Sequence, residues 1–300
     1  MAASILTNMS AMSAVANLAA TQKSLASTEN QISTGLKVSS AKDNAAYWSI
    51  ATSMKTTTGE LSAVSDSLNL GASVVGTAVA ALNTTISIMQ KMQSDLVSAQ
   101  QTGVNGDQVE TDIAALQSQL KTTVSSASFN GVNLLDQSCS SVTQQNIVSS
   151  VSGSGSKFAV NTLAVKYSDT ALTTSGASGS KTGILDATGC QSSTTILGFS
   201  ISSTTSAADL TKMSQDLDTA LLKVQTAAAK LGATQTNIDL QSQFTSALSD
   251  SITTGVGSLV DADMNQASTR LNALQTQQQL GIQALSVSNQ NSQIILKLFG

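Results

Sequence analysis

The chain has 300 residues, a net charge of −4 and a pI near 4.7, with no His and no Pro. Charged residues are only 11% of it and Arg270 is the sole arginine, so no basic patch is available to track a phosphate backbone, which argues against nucleic-acid binding. Without His, neither a Ser-His nor a Cys-His pair can be built, and zinc sites lose their commonest nitrogen ligand.

Proline disrupts helix interiors, and an average chain of this length carries about 15 at ~5% usage. Its absence here permits long helices. Aromatics are 3% of the chain, and the apolar residues are mostly Ala, Val, Leu and Ile, which suit thin helix-on-helix seams. The first helical stretch runs over 5–33. Val15, Leu18, Leu25 and Ile32 fall on one heptad seam, with Gln22 and Glu29 at its weaker positions. Gly35 is placed to end it, and 36–43 reads as extended or turn-like.

A longer helix follows. Leu61, Val64, Leu68, Gly71, Val75, Ala78, Leu82, Thr85, Met89, Met92 and Leu96 alternate by three and four without a slip, a coiled-coil period held over about five heptads. Gly103 and Gly106 mark a turn. Val109, Ile113, Leu116, Leu120 and Val124 give a third helix, and Phe129-Asn130-Gly131 reads as a turn.

Residues 137–206 differ in composition, being rich in Ser, Thr and Gly. Leu163, Val165 and Tyr167 share one face, as do Leu197, Phe199 and Ile201, which predicts strands joined by turns. Cys139 and Cys190 both lie here, and one disulfide or two free thiols are equally compatible with the count. From Ala207 the helical period returns through Leu210, Leu217, Val224, Leu231, Ile238 and Ile252, with Gly255 and Gly257 expected to interrupt it. A last helix carries Leu271, Leu274, Leu285 and Ile295 on one seam.

The two halves therefore mirror each other. Folded back antiparallel, they bring the chain ends together and leave the middle segment at the far tip. The fold class is mainly α: a long-helix antiparallel coiled-coil rod with a small β-rich or irregular tip. The parts are 1–40, 41–136, 137–206, 207–256 and 257–300.

The uncharged runs 1–22, 67–90 and 271–296 are studded with Asn, Gln, Ser and Thr, which argues against membrane insertion. No basic n-region of a secretory signal peptide precedes Lys23. Neutral terminal helices that still carry Met9, Met12, Leu280 and Ile282 can be enclosed without burying an unpaired charge, so assembly into a polymer is expected. Gly71 to Thr77 (GASVVGT) echoes a phosphate loop but lacks its lysine and sits within a helical period. The pairs Asp216/Asp218 and Asp261/Asp263 are two apart on helices, and a solvated face is the expectation for both. Neither catalytic residue nor cofactor or metal site is assigned.

Three segments carry a family resemblance: ISTGLKVSSAKDNAAYWSIA at 32–51, SASFNGVNLLD at 126–136 and LNALQTQQQLGIQALSVSNQNSQIILKLF at 271–299. They resemble bacterial flagellin, the filament subunit of the flagellum, in the style of alphaproteobacteria. The resemblance implies a non-enzymatic structural subunit that polymerises with itself into an extracellular filament used as a propeller. It implies terminal helices forming an inner tube through Val15, Leu18, Leu25, Ile32, Leu271, Leu274, Leu285 and Ile295. Export through the flagellar type III apparatus is implied too, with a chaperone on the C-terminal helix. The further partners it implies are hook-associated and cap proteins and other flagellins in one filament. O-linked glycans on the middle segment are a family feature weighed against an unmodified surface. The alternative within the same apparatus is a hook–filament junction protein. One departure stands out. The run QKMQSDLVS at 90–98, with Lys91, Gln93, Ser94 and Asp95, lacks the Arg-rich, Glu-Leu-bearing pattern that many flagellins present to the animal innate receptor, so weak recognition is expected.

Overall fold

The computed structural model describes residues 8–101, 103–137, 143–154, 157–174, 183–202 and 204–299. Its elements in chain order are α1 (Met9–Thr34), α2 (Ala45–Ala99), α3 (Gly106–Ser126), β1 (Ser128–Phe129), β2 (Val132–Asn133), β3 (Gln144–Ser154), β4 (Lys157–Lys166), α4 (Tyr167–Thr170), α5 (Ala207–Val260) and α6 (Met264–Phe299). Two compact units form, one from Met1–Gly59 with Asp250–Gly300, the other from Glu60–Ser249. The division falls inside the continuous helices α2 and α5, not at the helix breaks.

In the first unit α1 is N-capped by Asn8, whose side chain accepts from Ala11 N. It ends at Gly35, whose φ of 72° is the left-handed conformation that a C-cap glycine supplies without strain. The inward positions of α1 are Ala14, Leu18, Thr21, Leu25, Thr28 and Ile32, and Val15 is half exposed. The expected seam is therefore shifted at its start. Counting back from Leu18, three or four residues both fit the period, and the small Ala14 takes the contact in place of branched Val15.

α6 runs antiparallel to α1. Asn8 Nδ2 donates to Ser288 O at 3.1 Å, and Gly281 lies against the Leu18 side chain. At the other end Lys37 N donates to Val260 O at 2.7 Å and Ala262 N to Gly35 O at 2.9 Å. The two helix breaks thus satisfy each other's backbone groups. The second break lies at Asp261–Asp263; Gly255 and Gly257 sit inside α5, contrary to expectation. An interior glycine costs only about 1 kcal/mol, and Val256 and Val260 recover more by burial against Val38 and Ala51. Asp263 then caps α6 by accepting from Asn265 N and Gln266 N. Neither Asp261 nor Asp263 lies on a helix, which corrects the earlier placement of that pair.

The second unit holds the larger core. All eleven seam residues read in α2, from Leu61 to Leu96, are buried, as are the five of α3. From α5, Leu210, Leu217, Val224, Leu231 and Ile238 join them. Gln93 hydrogen-bonds Asp218, so the C-terminal part of α2 meets the N-terminal part of α5, as an antiparallel pair requires. The GASVVGT run lies within α2.

β1 and β2 form a hairpin, with Asn130 (φ 50°) and Gly131 (φ 78°) as its two-residue loop. β3 and β4 form a second antiparallel pair from Gln144↔Lys166 to Ser154↔Lys157, with a register shift between Val148 and Ser150. Leu163 and Val165 are on β4 as expected, but Tyr167 opens the short α4. Leu197, Phe199 and Ile201 form no strand. Ile196–Gly198 is a 3-10 turn, and the backbone groups nearby are satisfied by α3 side chains. Gln117 Nε2 donates to Ile196 O and Phe199 O at 3.1 and 3.0 Å, and the Glu110 carboxylate accepts from Ser200 Oγ and Ile201 N. With those groups taken, no ladder is needed. The middle segment also reaches well back along the helices from the Ala99 and Ala207 ends: Ile147 packs on Gly71 of α2, and Asp169 pairs with Lys230 of α5 at 3.0 Å.

Candidate assembly surfaces

In the first unit the contact between α1 and α6 uses one stripe of each helix. Leu18, Leu25, Ile32, Leu271 and Leu285 are half-buried there and Leu274 is buried. The side chain of Ile295 lies outside the described residues. The opposite faces carry Met9 (74% exposed), Met12, Val15, Leu280, Ile282 and Val287, each at least half exposed. No charged residue occurs on α1 before Lys23 or on α6 after Arg270 as far as Gln290. Such apolar, uncharged faces gain by being covered and have no ion to desolvate. Tyr47, Trp48 and Ile50, at the start of α2, add exposed bulk to the same unit. Asn44 caps that helix by accepting from Ala46 N and Tyr47 N at 3.1 Å.

The turn before it is held by Asp43, which accepts from the N–H and hydroxyl of both Ser39 and Ser40. Those bonds, led by the Ser40 N–H, hold its carboxyl below the usual carboxylate range. The signature at 32–51 is thus a capped break that sets the direction in which α2 leaves.

In the second unit the exposed apolar residues of α5 are Leu222, Leu240 and Phe244. On α2, Lys91 pairs with Asp95 at 3.5 Å, Gln93 is engaged with Asp218, and Ser94 is exposed. The run at 90–98 therefore exposes Gln90, Lys91, Ser94, Val97 and Ser98, with no arginine and with its one carboxylate already paired.

Asp216 is the site residue the sequence did not reveal. It is 6% exposed and accepts from Ser192 N and Ser192 Oγ at 2.7 Å and from Gln191 N at 3.1 Å. Burial pushes its pKa up, but the Ser192 hydroxyl and the Ser192, Gln191 and Cys190 N–H groups together pull it below the ordinary value. Asp216 and Asp218 do point apart, yet Asp216 is a buried latch and not part of a solvated face. Cys190, in the latched loop, is an exposed free thiol; Cys139 lies outside the described residues. Among the described residues no group of three or more His, Cys, Asp or Glu is placed to hold a metal.

Comparison with known proteins places these surfaces in context. The bacterial flagellin N-terminal helical region matches residues 5–140, and the bacterial flagellin C-terminal helical region matches residues 214–299. The chain is 44% identical to a flagellin of Brucella melitensis biotype 1 over 305 residues, covering 99% of both chains. It is 40% identical to Flagellin C of Rhizobium meliloti over 317 residues, again covering 99% of both. Flagellin FljK of Caulobacter vibrioides is 35% identical, with 99% of this chain and 98% of that one covered.

Proposed function

The chain belongs to the flagellin family, and on that premise we propose that it is the self-polymerising subunit of an extracellular bacterial flagellar filament, a passive propeller for swimming. The observation that carries this reading is the neutral apolar outer face of α1 and α6. In the isolated chain Met9, Met12, Leu280 and Ile282 face water; neighbouring copies cover them. A contact of one copy on the next that does not close on itself grows as a helical polymer. Family members along their full length support this reading, and nothing favours a hook–filament junction protein.

The proposal extends to partners and handling. Export runs through the flagellar type III apparatus, with a chaperone on α6 before assembly. Cap and hook-associated proteins meet the growing polymer, and other flagellins share it. The test is seeded growth: purified chain added to sheared filament fragments is expected to lengthen them, seen by electron microscopy. Failure to grow from its own seeds across salt and temperature would refute the filament role. The innate receptor is expected to respond weakly, because 90–98 presents Lys91 and Ser94 in place of an Arg-rich run. Full potency of purified monomer in a reporter-cell assay would refute that.

A further inference from the structure

Asn-Gly occurs twice in the chain, at 105–106 and 130–131, and the structure treats the two differently. Asn105 caps α3, and its side-chain oxygen accepts from Asp107 N at 3.1 Å. Asn130 and Gly131 are the exposed loop of the β1–β2 hairpin, both with positive φ. Among the described residues neither the Asn130 side chain nor the Gly131 N–H has a hydrogen-bond partner, and beyond its chain neighbours nothing lies within 4 Å of where a Cβ on Gly131 would be. The amide carbon of Asn130 and the backbone nitrogen after it are thus both unengaged and open to water.

We propose that Asn130 is a site of spontaneous deamidation. The Gly131 nitrogen gives up its proton and attacks Cγ of Asn130. The new C–N bond closes a five-membered succinimide, the Cγ–Nδ2 bond breaks, and ammonia leaves. Water then opens the ring at either carbonyl, leaving aspartate or isoaspartate at position 130. No enzyme, oxidant or cofactor enters. Gly131 lacks a side chain to shield the attacking nitrogen. At Asn105 the same attack must first break the helix cap.

The consequence is local and cumulative. The product adds a negative charge, and the isoaspartate form adds one carbon to the backbone of a two-residue loop. The register Ser128↔Asn133 and Phe129↔Val132 depends on that loop length. Asn133 in turn donates to Val124 O at 2.7 Å and accepts from Leu135 N at 2.9 Å, so the change sits beside the buried pair Leu134 and Leu135. The extent of conversion records the age of the chain.

The test is a time course on the full-length folded chain in mildly alkaline buffer. Peptide mapping by mass spectrometry and labelling with an isoaspartyl methyltransferase read the conversion. Asn130 is expected to convert roughly tenfold faster than Asn105, equivalent to about 1.4 kcal/mol of barrier. The Asn130→Gln variant, whose ring would need six members, is expected to lose the early label with an unchanged circular dichroism spectrum. Equal rates at the two sites, faster loss at Asn105, or persistence of the label in Asn130→Gln would overturn the assignment. So would an unreactive Asn130 in the folded chain when the denatured chain converts at both sites.

Discussion

Asp216 and the loop it holds show how one carboxylate fixes a segment that has no regular structure of its own. Three donors from Gln191 and Ser192 converge on it, and hydrogen bonds to a charged acceptor contribute about 1.5–3 kcal/mol each when buried. Asp216→Asn keeps the shape but loses the charge and turns an acceptor into a donor facing N–H groups. The variant is expected to lower the stability of the second unit by about 2 kcal/mol near neutral pH, read by urea denaturation. The pKa of Asp216 is lowered in the folded chain, so its stabilisation is complete above the unfolded value of about 4 and disappears as pH falls through the folded value. The gap between native and variant chains should therefore close only in acid, below about pH 4; a gap independent of pH would reject the latch. Gly71 makes a second residue-scale case. A Cβ there would strike Cγ2 of Ile147, so the helix propensity gained by Gly71→Ala is outweighed by overpacking, about 1–3 kcal/mol. Combined with Ile147→Ala the loss should be less than additive by about 1 kcal/mol or more, whereas strict additivity would deny the contact. Neither residue announced its role in the sequence. Asp216 looks like any helical acid, and Gly71 occupies a seam position where period alone cannot tell a small core residue from a docking notch.

At the scale of elements, period was the reliable guide. The three-four alternation from Leu61 to Leu96 and from Val109 to Val124 marks residues that are buried without exception, because a long helix with one covered stripe leaves little freedom of register. Glycine was the weaker guide. Gly35 does end α1, because the chain needs a left-handed residue there, but Gly255 lies inside α5 with open space around it. Gly255→Ala is accordingly expected to raise stability by about 0.5–1 kcal/mol, measured as a shift of the first unit's thermal transition. Destabilisation would instead mean that the glycine is required for the break. Strand reading failed at Leu197, Phe199 and Ile201 for a related reason. Alternation reports which side chains are buried, while Gln117 and Glu110, far away in sequence, decide what the backbone bonds to.

Taken whole, the chain concentrates its stability unevenly. The first unit has a cluster of four buried residues, Val38, Ala51, Val256 and Val260, whereas the second is built on Leu68, Leu82, Met89, Leu120, Leu217 and many others. The pairing of the ends was legible from the mirrored helices, though of the expected glycine breaks only Gly35 marks one, the other falling at Asp261–Asp263. Their outer faces were legible only as an absence of charge, and the proposed function assigns the surface that covers them to other copies. Removing residues 281–300 deletes Gly281, which lies on Leu18, and the Ser288 carbonyl that Asn8 holds, but nothing in the second unit's core. The truncated chain is expected to keep the cooperative unfolding of the second unit and to lose seeded growth completely. Because truncation also weakens α1, a point variant separates folding from assembly. Ile282 is 53% exposed, so Ile282→Lys should leave monomer stability within about 0.5 kcal/mol of the parent. In a polymer the same lysine must be buried without a partner, a cost of several kcal/mol per copy, enough to block growth. A variant that elongates seeds as well as the parent chain would show that this face stays in water, and the proposed covering of the terminal helices would fall with it.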